Sequence, residues 1–217
     1  MPIITISRGT MSGGRAVAEC LADHLGYPCV GREVLQEAAA SLGASEDVVR
    51  AKLQTPPGPW DLVTKERNTY VLAVQTALAT QCVAGELVYH GLAGQFLLRG
   101  LPGVVRIRLI APTALRVHAL ISSHTHTTHE AAERYIRAVD RQRRRWVRAL
   151  YGEDVGDPSL YDLTINLQSL TLDTTCVMIA ELVQRPEHAV TPAVRDQLET
   201  FAASCRRQLD EVVGVRK

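Results

Sequence analysis

The first apolar residues of the chain fall in two successive patterns. Ile3, Ile4 and Ile6 make a short β-branched run, and Val17, Leu21 and Leu25 then recur at steps of four. The first pattern predicts a strand over 3–7. The second predicts an amphipathic helix that begins after Gly13-Gly14 and stops at Gly26. Tyr27, Pro28, Cys29 and Val30 read as a second short strand, followed by a helix through Val34, Leu35, Ala38 and Leu42. Ser45 is placed to cap a further helix that runs to about 54. A long helix is expected over about 61–84, a third strand over 86–90 and a fourth over 104–110. Pro112 opens the next helix, as proline does in a first turn. Thr127 and Glu130 have capping-box spacing ahead of an arginine-rich helix. A fifth strand over 163–167, a helix over 171–185 and a last helix over about 192–213 complete the chain.

Short apolar strands separated by helices predict a parallel sheet covered on both faces. The clearest breaker is the stretch 54–59, with three prolines and a glycine. It reads as a loop inside the domain, because the helical pattern resumes at once. The 217 residues suit one domain, and 46% apolar content is ample for its core. A formal net charge of +1 argues against a general nucleic-acid coat, and leaves room for a local basic site. The five cysteines are dispersed and form no C-x-x-C pair, which predicts reduced thiols in a cytoplasmic protein. Neither a signal peptide nor a run of membrane-spanning length is indicated.

The turn between the first strand and helix carries the candidate chemistry. Gly9, Thr10, Met11, Ser12, Gly13, Gly14, Arg15 and Ala16 have the spacing of a phosphate-binding P-loop, G-x-x-x-x-G-K-[ST]. Such a loop needs glycines so that backbone N–H groups converge on phosphate oxygens, with the following helix adding its positive end. Here Arg15 replaces the lysine and still supplies charge. Ala16 replaces the hydroxyl residue and offers a metal no ligand. A tight turn without a ligand is the plain alternative.

A wider window carries a resemblance. Ile6-Ser7-Arg8, Ser12-Gly13-Gly14-Arg15, Leu25-Gly26 and Arg32-Glu33 are similar to the opening of the cytidylate kinase-like family, a branch of the P-loop nucleoside monophosphate kinases. Asp140 and Arg143 match the lid motif D-x-x-R. Gly156-Asp157, Tyr161-Asp162-Leu163, Ile165-Asn166 and Leu170 match a later pattern, so the resemblance spans about 3–185. It implies an α/β, three-layer P-loop kinase fold with a five-stranded parallel sheet and a helical lid. The kinase-like domain would be 1–186, its lid about 122–160, and 187–217 a C-terminal helical extension.

The resemblance also implies an ATP-dependent phosphotransferase that moves the γ-phosphoryl group to a nucleoside monophosphate such as CMP or dCMP. ATP would lie on residues 9–16, with Mg2+ held mainly by nucleotide and water. Arg15, Arg137, Arg141, Arg143 and Arg144 would act on the transferring group, with Asp140 orienting the lid arginines. Arg8, Arg32, Glu33 and His90 would face the small-molecule acceptor. Four departures bear on the acceptor and the reaction: the family's aspartate before Arg32 is Gly31, its arginine after the third strand is Leu92, a loop glycine is Met11, and no apolar strand ends in an obvious Walker B aspartate. They keep open a catalytically weak nucleotide-binding regulator, or a kinase for a non-nucleotide metabolite.

Weaker signals have plainer alternatives. Seven arginines between 134 and 148 could instead be a solvated face or a nucleic-acid contact, which the near-neutral chain disfavours. His124, His126 and His129 are irregularly spaced and read as loop rather than metal ligands. Glu33, Asp61 and Glu66 read as surface carboxylates as readily as acceptor contacts, Trp60 as a core plug, and His90 as a packed or an acceptor-site histidine. The apolar stripe Val194, Leu198, Phe201, Cys205, Leu209 and Val212 serves either packing on its own domain or a homodimer contact.

Overall fold

A computed structural model of the chain describes residues 2–54, 65–123 and 128–214. The breaker at 55–59, Trp60, Asp61, His124, His126 and Thr127 lie outside the described residues, as does the side chain of Glu66. The strands are β1 (Ile3–Arg8), β2 (Cys29–Val30), β3 (Leu87–Tyr89), β4 (Val104–Ile110) and β5 (Leu163–Asn166). They form one parallel sheet in the order β2-β3-β1-β4-β5. The helices are α1 (Gly14–Leu25), α2 (Arg32–Ser41), α3 (Glu46–Gln54), α4 (Lys65–Cys82), α5 (Gly94–Leu97), α6 (Thr113–Ser123), α7 (His129–Tyr151), α8 (Leu172–Val183) and α9 (Pro192–Gly214).

Strand periodicity explains the three layers. Ile3, Leu87 and Tyr89 point into one core, which includes Val34, Leu78, Phe96, Trp146 and Leu198. Their neighbours Ile4, Ile6 and Val88 point the other way, with Val105, Ile107 and Leu109, onto α1 and α8 through Val17, Leu21, Ile179 and Val183. β4 alternates most clearly. Val105, Ile107 and Leu109 are buried, while Arg106 and Arg108 occupy the opposite face. Arg106 binds Asp162 through two guanidinium contacts and its backbone N–H.

The helices differ from the sequence expectation in detail. Thr128 caps α7, its hydroxyl accepting from the Ala131 N–H at 3.3 Å, so the cap is not Thr127. The short helix α5 carries no long apolar repeat and was not expected. α4 is described only from Lys65, and its final residue is Cys82. α9 lies against α4 with Leu198, Ala202, Cys205 and Leu209 buried, so this part of the stripe is covered within the chain. Among the described residues, no helix is long and apolar enough to cross a membrane. None of their His, Cys, Asp and Glu side chains cluster in threes to hold a metal ion.

β1 lies between β3, reached from one side of the sheet, and β4, on the other. Open α/β sheets bind ligands outside the carboxyl end of a strand where the order reverses in this way. The residue after β1 is Gly9.

Candidate functional site

The glycine-rich turn is built for an anion. Gly13 adopts φ 77°, a left-handed conformation that glycine takes without a Cβ penalty, and it starts α1 with no side-chain cap and no acidic residue in the first turn. The N–H groups of Gly13, Gly14, Arg15 and Ala16 have no acceptor among the described residues. Ser12 folds the turn back, its hydroxyl donating to the Gly9 carbonyl at 2.9 Å. Gly14 is required by close approach, since a Cβ there would lie 2.8 Å from the Cβ of Arg8. Met11 holds φ 59° where the family pattern has glycine. Its side chain packs on Val117, Leu120 and Ile136, which offsets the strain of that conformation.

The turn is braced from outside by α6 and α7. Asp140 accepts from the Thr10 N–H at 3.0 Å. Arg116 donates through Nε to the Thr10 carbonyl at 2.7 Å and ion-pairs with Asp140. Burial would raise the Asp140 carboxyl, but the Thr10 and Arg116 contacts outweigh it and hold it below the usual aspartate value.

Two cavities flank the turn. The first, about 290 Å³, lies at the ends of β1 and β3 and is lined by Arg8, Arg15, Arg32, Arg50, His90 and Arg143, with apolar walls from Leu35, Leu92 and Val147. The second, about 160 Å³, lies at the end of β4 and is lined by Arg8, Gly9, Arg108, Arg116, Asp140, Arg143 and Arg144. Arg8 and Arg143 belong to both. Neither has a carboxylate partner among the described residues. Burial lowers both guanidinium pKa values, and Arg8 is lowered further by Arg143. Asp140 offsets Arg143 in part through space without pairing with it, so the two partly buried cations keep capacity to attract an anion.

A hydrogen-bond hub supports this junction. The Tyr161 hydroxyl donates to the Val155 carbonyl at 2.9 Å and accepts from Gln95 at 3.1 Å and Arg108 at 3.2 Å. It also lies 3.2 Å from the Ser7 hydroxyl. Tyr161 thereby ties the ends of β1 and β4, α5 and the loop after α7 into one frame. Val155 in that loop lines both cavities.

The structure brings together Arg8, Asp140, Arg143, Arg144 and His90, with residues 9–16 beside them. Arg15 and Arg32 sit at the rim, 75% and 65% exposed, bound to Glu19 and Glu46. Beyond the turn itself, three of the expected site residues lie outside the lining of both cavities. Arg137 and Arg141 do not line either cavity, because α7 is rotated by the burial of Ala132, Ile136, Trp146 and Val147; Arg137 binds Glu133 at the surface instead. Glu33 accepts from the Gly31 N–H at 2.7 Å and so caps the start of α2 rather than lining the first cavity. The cluster also contains Arg50, Arg108 and Arg116, which sequence reasoning missed. Only Arg108 left a signal, as a charged residue alternating with buried ones in β4.

Comparison with known proteins bears on the family and the fold. The sequence model of the cytidylate kinase-like family matches residues 3–169. No curated protein matches the chain. The fold superposes on an uncharacterized protein from Eubacterium ventriosum ATCC 27560 with a TM-score of 0.67 and 18% identity, covering 84% of this chain and 97% of that one. It superposes on shikimate kinase from Bacteroides thetaiotaomicron with a TM-score of 0.52 and 8% identity, covering 85% and 99%. At these identities the two structures speak for the fold alone.

Proposed function

The chain belongs to the cytidylate kinase-like family and has the P-loop kinase fold, and on that premise we propose that it is an ATP-dependent phosphotransferase acting on a small anionic acceptor, first of all a nucleoside monophosphate such as CMP or dCMP. The observation that carries this reading is the pair Arg8 and Arg143, shared by two cavities on either side of the P-loop turn. The cavity at β4 suits the donor phosphates. The cavity at β2 and β3 suits the acceptor. Transfer then takes place where they meet.

The turn fits a polyphosphate. Its N–H groups at Gly13, Gly14, Arg15 and Ala16 lack protein acceptors, and the α1 dipole points at them. The chain does not fit a protein-held Mg2+, because Ala16 presents only a methyl group where the motif has a hydroxyl. Any Mg2+ would arrive with ATP.

In this reading an acceptor oxygen forms a bond to the γ-phosphorus as the bond to the bridging oxygen of ADP breaks. The transferring group spreads its charge over its equatorial oxygens, so catalysis is mostly positioning and charge stabilisation. Arg8 and Arg143 stand at that point. Arg144 and Arg116 face the donor side, and Arg15, Arg32 and Arg50 the acceptor rim. Helix α7 acts as the lid, with Asp140 holding it against the loop.

A second reading, a kinase for a non-nucleotide metabolite, is favoured by Leu92, which lines the acceptor-side cavity where related kinases have an arginine. Coupled measurement of ADP release with CMP, dCMP, the other nucleoside monophosphates and a set of small hydroxy acids separates the two. Turnover with a nucleoside monophosphate supports the first. Turnover confined to a hydroxy acid supports the second. ATP binding by calorimetry without turnover on any of them would reverse the enzymatic reading in favour of a nucleotide-binding regulator.

A further inference from the structure

His90 follows β3 and lies in the wall of the acceptor-side cavity. Its Nδ1 is 3.3 Å from Nη1 of Arg8. A guanidinium has no acceptor, so Arg8 donates and Nδ1 accepts, which places the ring proton on Nε2. Gly31 closes in on the ring. A Cβ at position 31 would lie 2.6 Å from Cε1 and 2.8 Å from Nε2. Any side chain there, including the aspartate of the family pattern, would displace the imidazole. The missing aspartate and the seated histidine are therefore two sides of one arrangement. The imidazole is also the one side chain that hydrogen-bonds Arg8 among the described residues.

We propose that His90 is a positioning and specificity-determining residue: it fixes Arg8 through Nδ1, offers its Nε2–H to the acceptor, and depends on the bare Gly31 for its place. The part concerning the acceptor rests on the reading of this cavity as the acceptor site. The arrangement of Arg8, His90 and Gly31 belongs to the free protein and stands apart from it. An acceptor read by an N–H donor and a cluster of arginines presents acceptor atoms to this wall, such as phosphate, carboxylate or hydroxyl oxygens.

The site has a definite pH dependence. The charged groups facing His90 are Arg8 from β1, Arg15 from α1, Arg32 and Glu33 from α2, Arg50 from α3 and Arg143 from α7. Burial disfavours the imidazolium first and Arg8 and Arg15 disfavour it further; a hydrogen bond to the residue's own backbone and the Glu33 carboxylate oppose them, and the His90 pKa lies below the usual histidine value. Protonation would put a hydrogen on Nδ1 and break the contact with Arg8. Protonation would therefore free Arg8 from Nδ1 while leaving the Nε2–H in place.

The test is a histidine titration by NMR on ring-labelled protein, with the His90 signal assigned by its loss in His90→Gln. The free protein is expected to show His90 titrating below an ordinary histidine. Arg8→Ala and Gly31→Ala should each move it toward the ordinary value, the first by removing the charge and the second by pushing the ring into water. Addition of CMP should shift the His90 signal. In kinetics, His90→Phe should raise the KM for CMP about tenfold, the scale of one lost hydrogen bond. His90→Asn keeps an oxygen near the Nδ1 position and should recover part of that loss, with kcat changed less than KM. An ordinary His90 titration that ignores both substitutions overturns the arrangement. A shifted titration combined with an unchanged KM in His90→Phe overturns the acceptor contact. Absence of CMP turnover in the unmodified protein counts against CMP as acceptor, and the titration still decides the arrangement.

Discussion

Asp140 offers the sharpest test of how the P-loop turn is held. Its carboxylate accepts the Thr10 N–H at 3.0 Å and pairs with Arg116, whose own Nε holds the Thr10 carbonyl. Replacing Asp140 by alanine leaves an amide and a guanidinium without their acceptor. A hydrogen bond to a charged group contributes about 1.5–3 kcal/mol, and a fully exposed ion pair about 0–1 kcal/mol. The two side chains are 12% and 30% exposed, so the pair lies between those limits. Asp140→Ala is expected to cost about 2–3 kcal/mol of unfolding free energy. Asp140→Asn keeps an oxygen for the Thr10 N–H and should cost about 1 kcal/mol.

The pH dependence fixes the cause. A carboxyl depressed in the folded state contributes stability above its unfolded pKa, near 3.9, and loses it as pH falls through the lower folded value. The gap between the unmodified protein and Asp140→Asn should be full at pH 7 and close below about pH 4. Urea unfolding followed by circular dichroism at several pH values measures it. Equal midpoints at pH 7, or a gap that persists in strong acid, would refute the electrostatic account of the brace.

Three further expectations follow from single contacts. Gly14→Ala places a Cβ against the stem of Arg8, and should lower both thermal stability and ATP affinity in calorimetry, by about 1–3 kcal/mol for the former. Met11→Gly should be more stable than Met11→Ala by about 1 kcal/mol in urea, since both lose the packing on α6 and α7 and only alanine keeps the left-handed strain. Tyr161→Phe leaves the buried Gln95 amide without its acceptor and should cost about 1–3 kcal/mol, read by chemical unfolding, with Gln95→Leu in the same background restoring part of it.

The strands and the P-loop turn were legible in the sequence because their signals are local. A β-branched run of four residues and a set of glycines at fixed spacing need no knowledge of distant contacts. Asp140 and Arg143 were found through motif spacing, but the face of α7 was misjudged. Ala132, Ile136 and Val147 make a stripe that runs through 140 and 143, and following it would have placed Arg137 and Arg141 outside. Glu33 matched a motif and serves as a cap, a role that Gly31 at the helix start could have suggested. Arg50 and Arg116 were not legible, because α3 and α6 converge on the site only through the tertiary fold. His90 and Gly31 were each noticed, but not their contact, because they are far apart in sequence and meet only once β2 pairs with β3.

The central claim is that phosphoryl transfer takes place between Arg8 and Arg143. Its most direct test is ADP release from ATP and Mg2+ with CMP and dCMP, in the unmodified protein, in Arg143→Ala and in Arg137→Ala, after far-ultraviolet circular dichroism has shown all three folded. The account predicts acceptor-dependent turnover that falls at least about a hundredfold in Arg143→Ala, as loss of one preorganised charge on the transferring group does, and survives in Arg137→Ala, whose side chain pairs with Glu133 and lines neither cavity. Equal turnover in Arg143→Ala and the unmodified protein would contradict it.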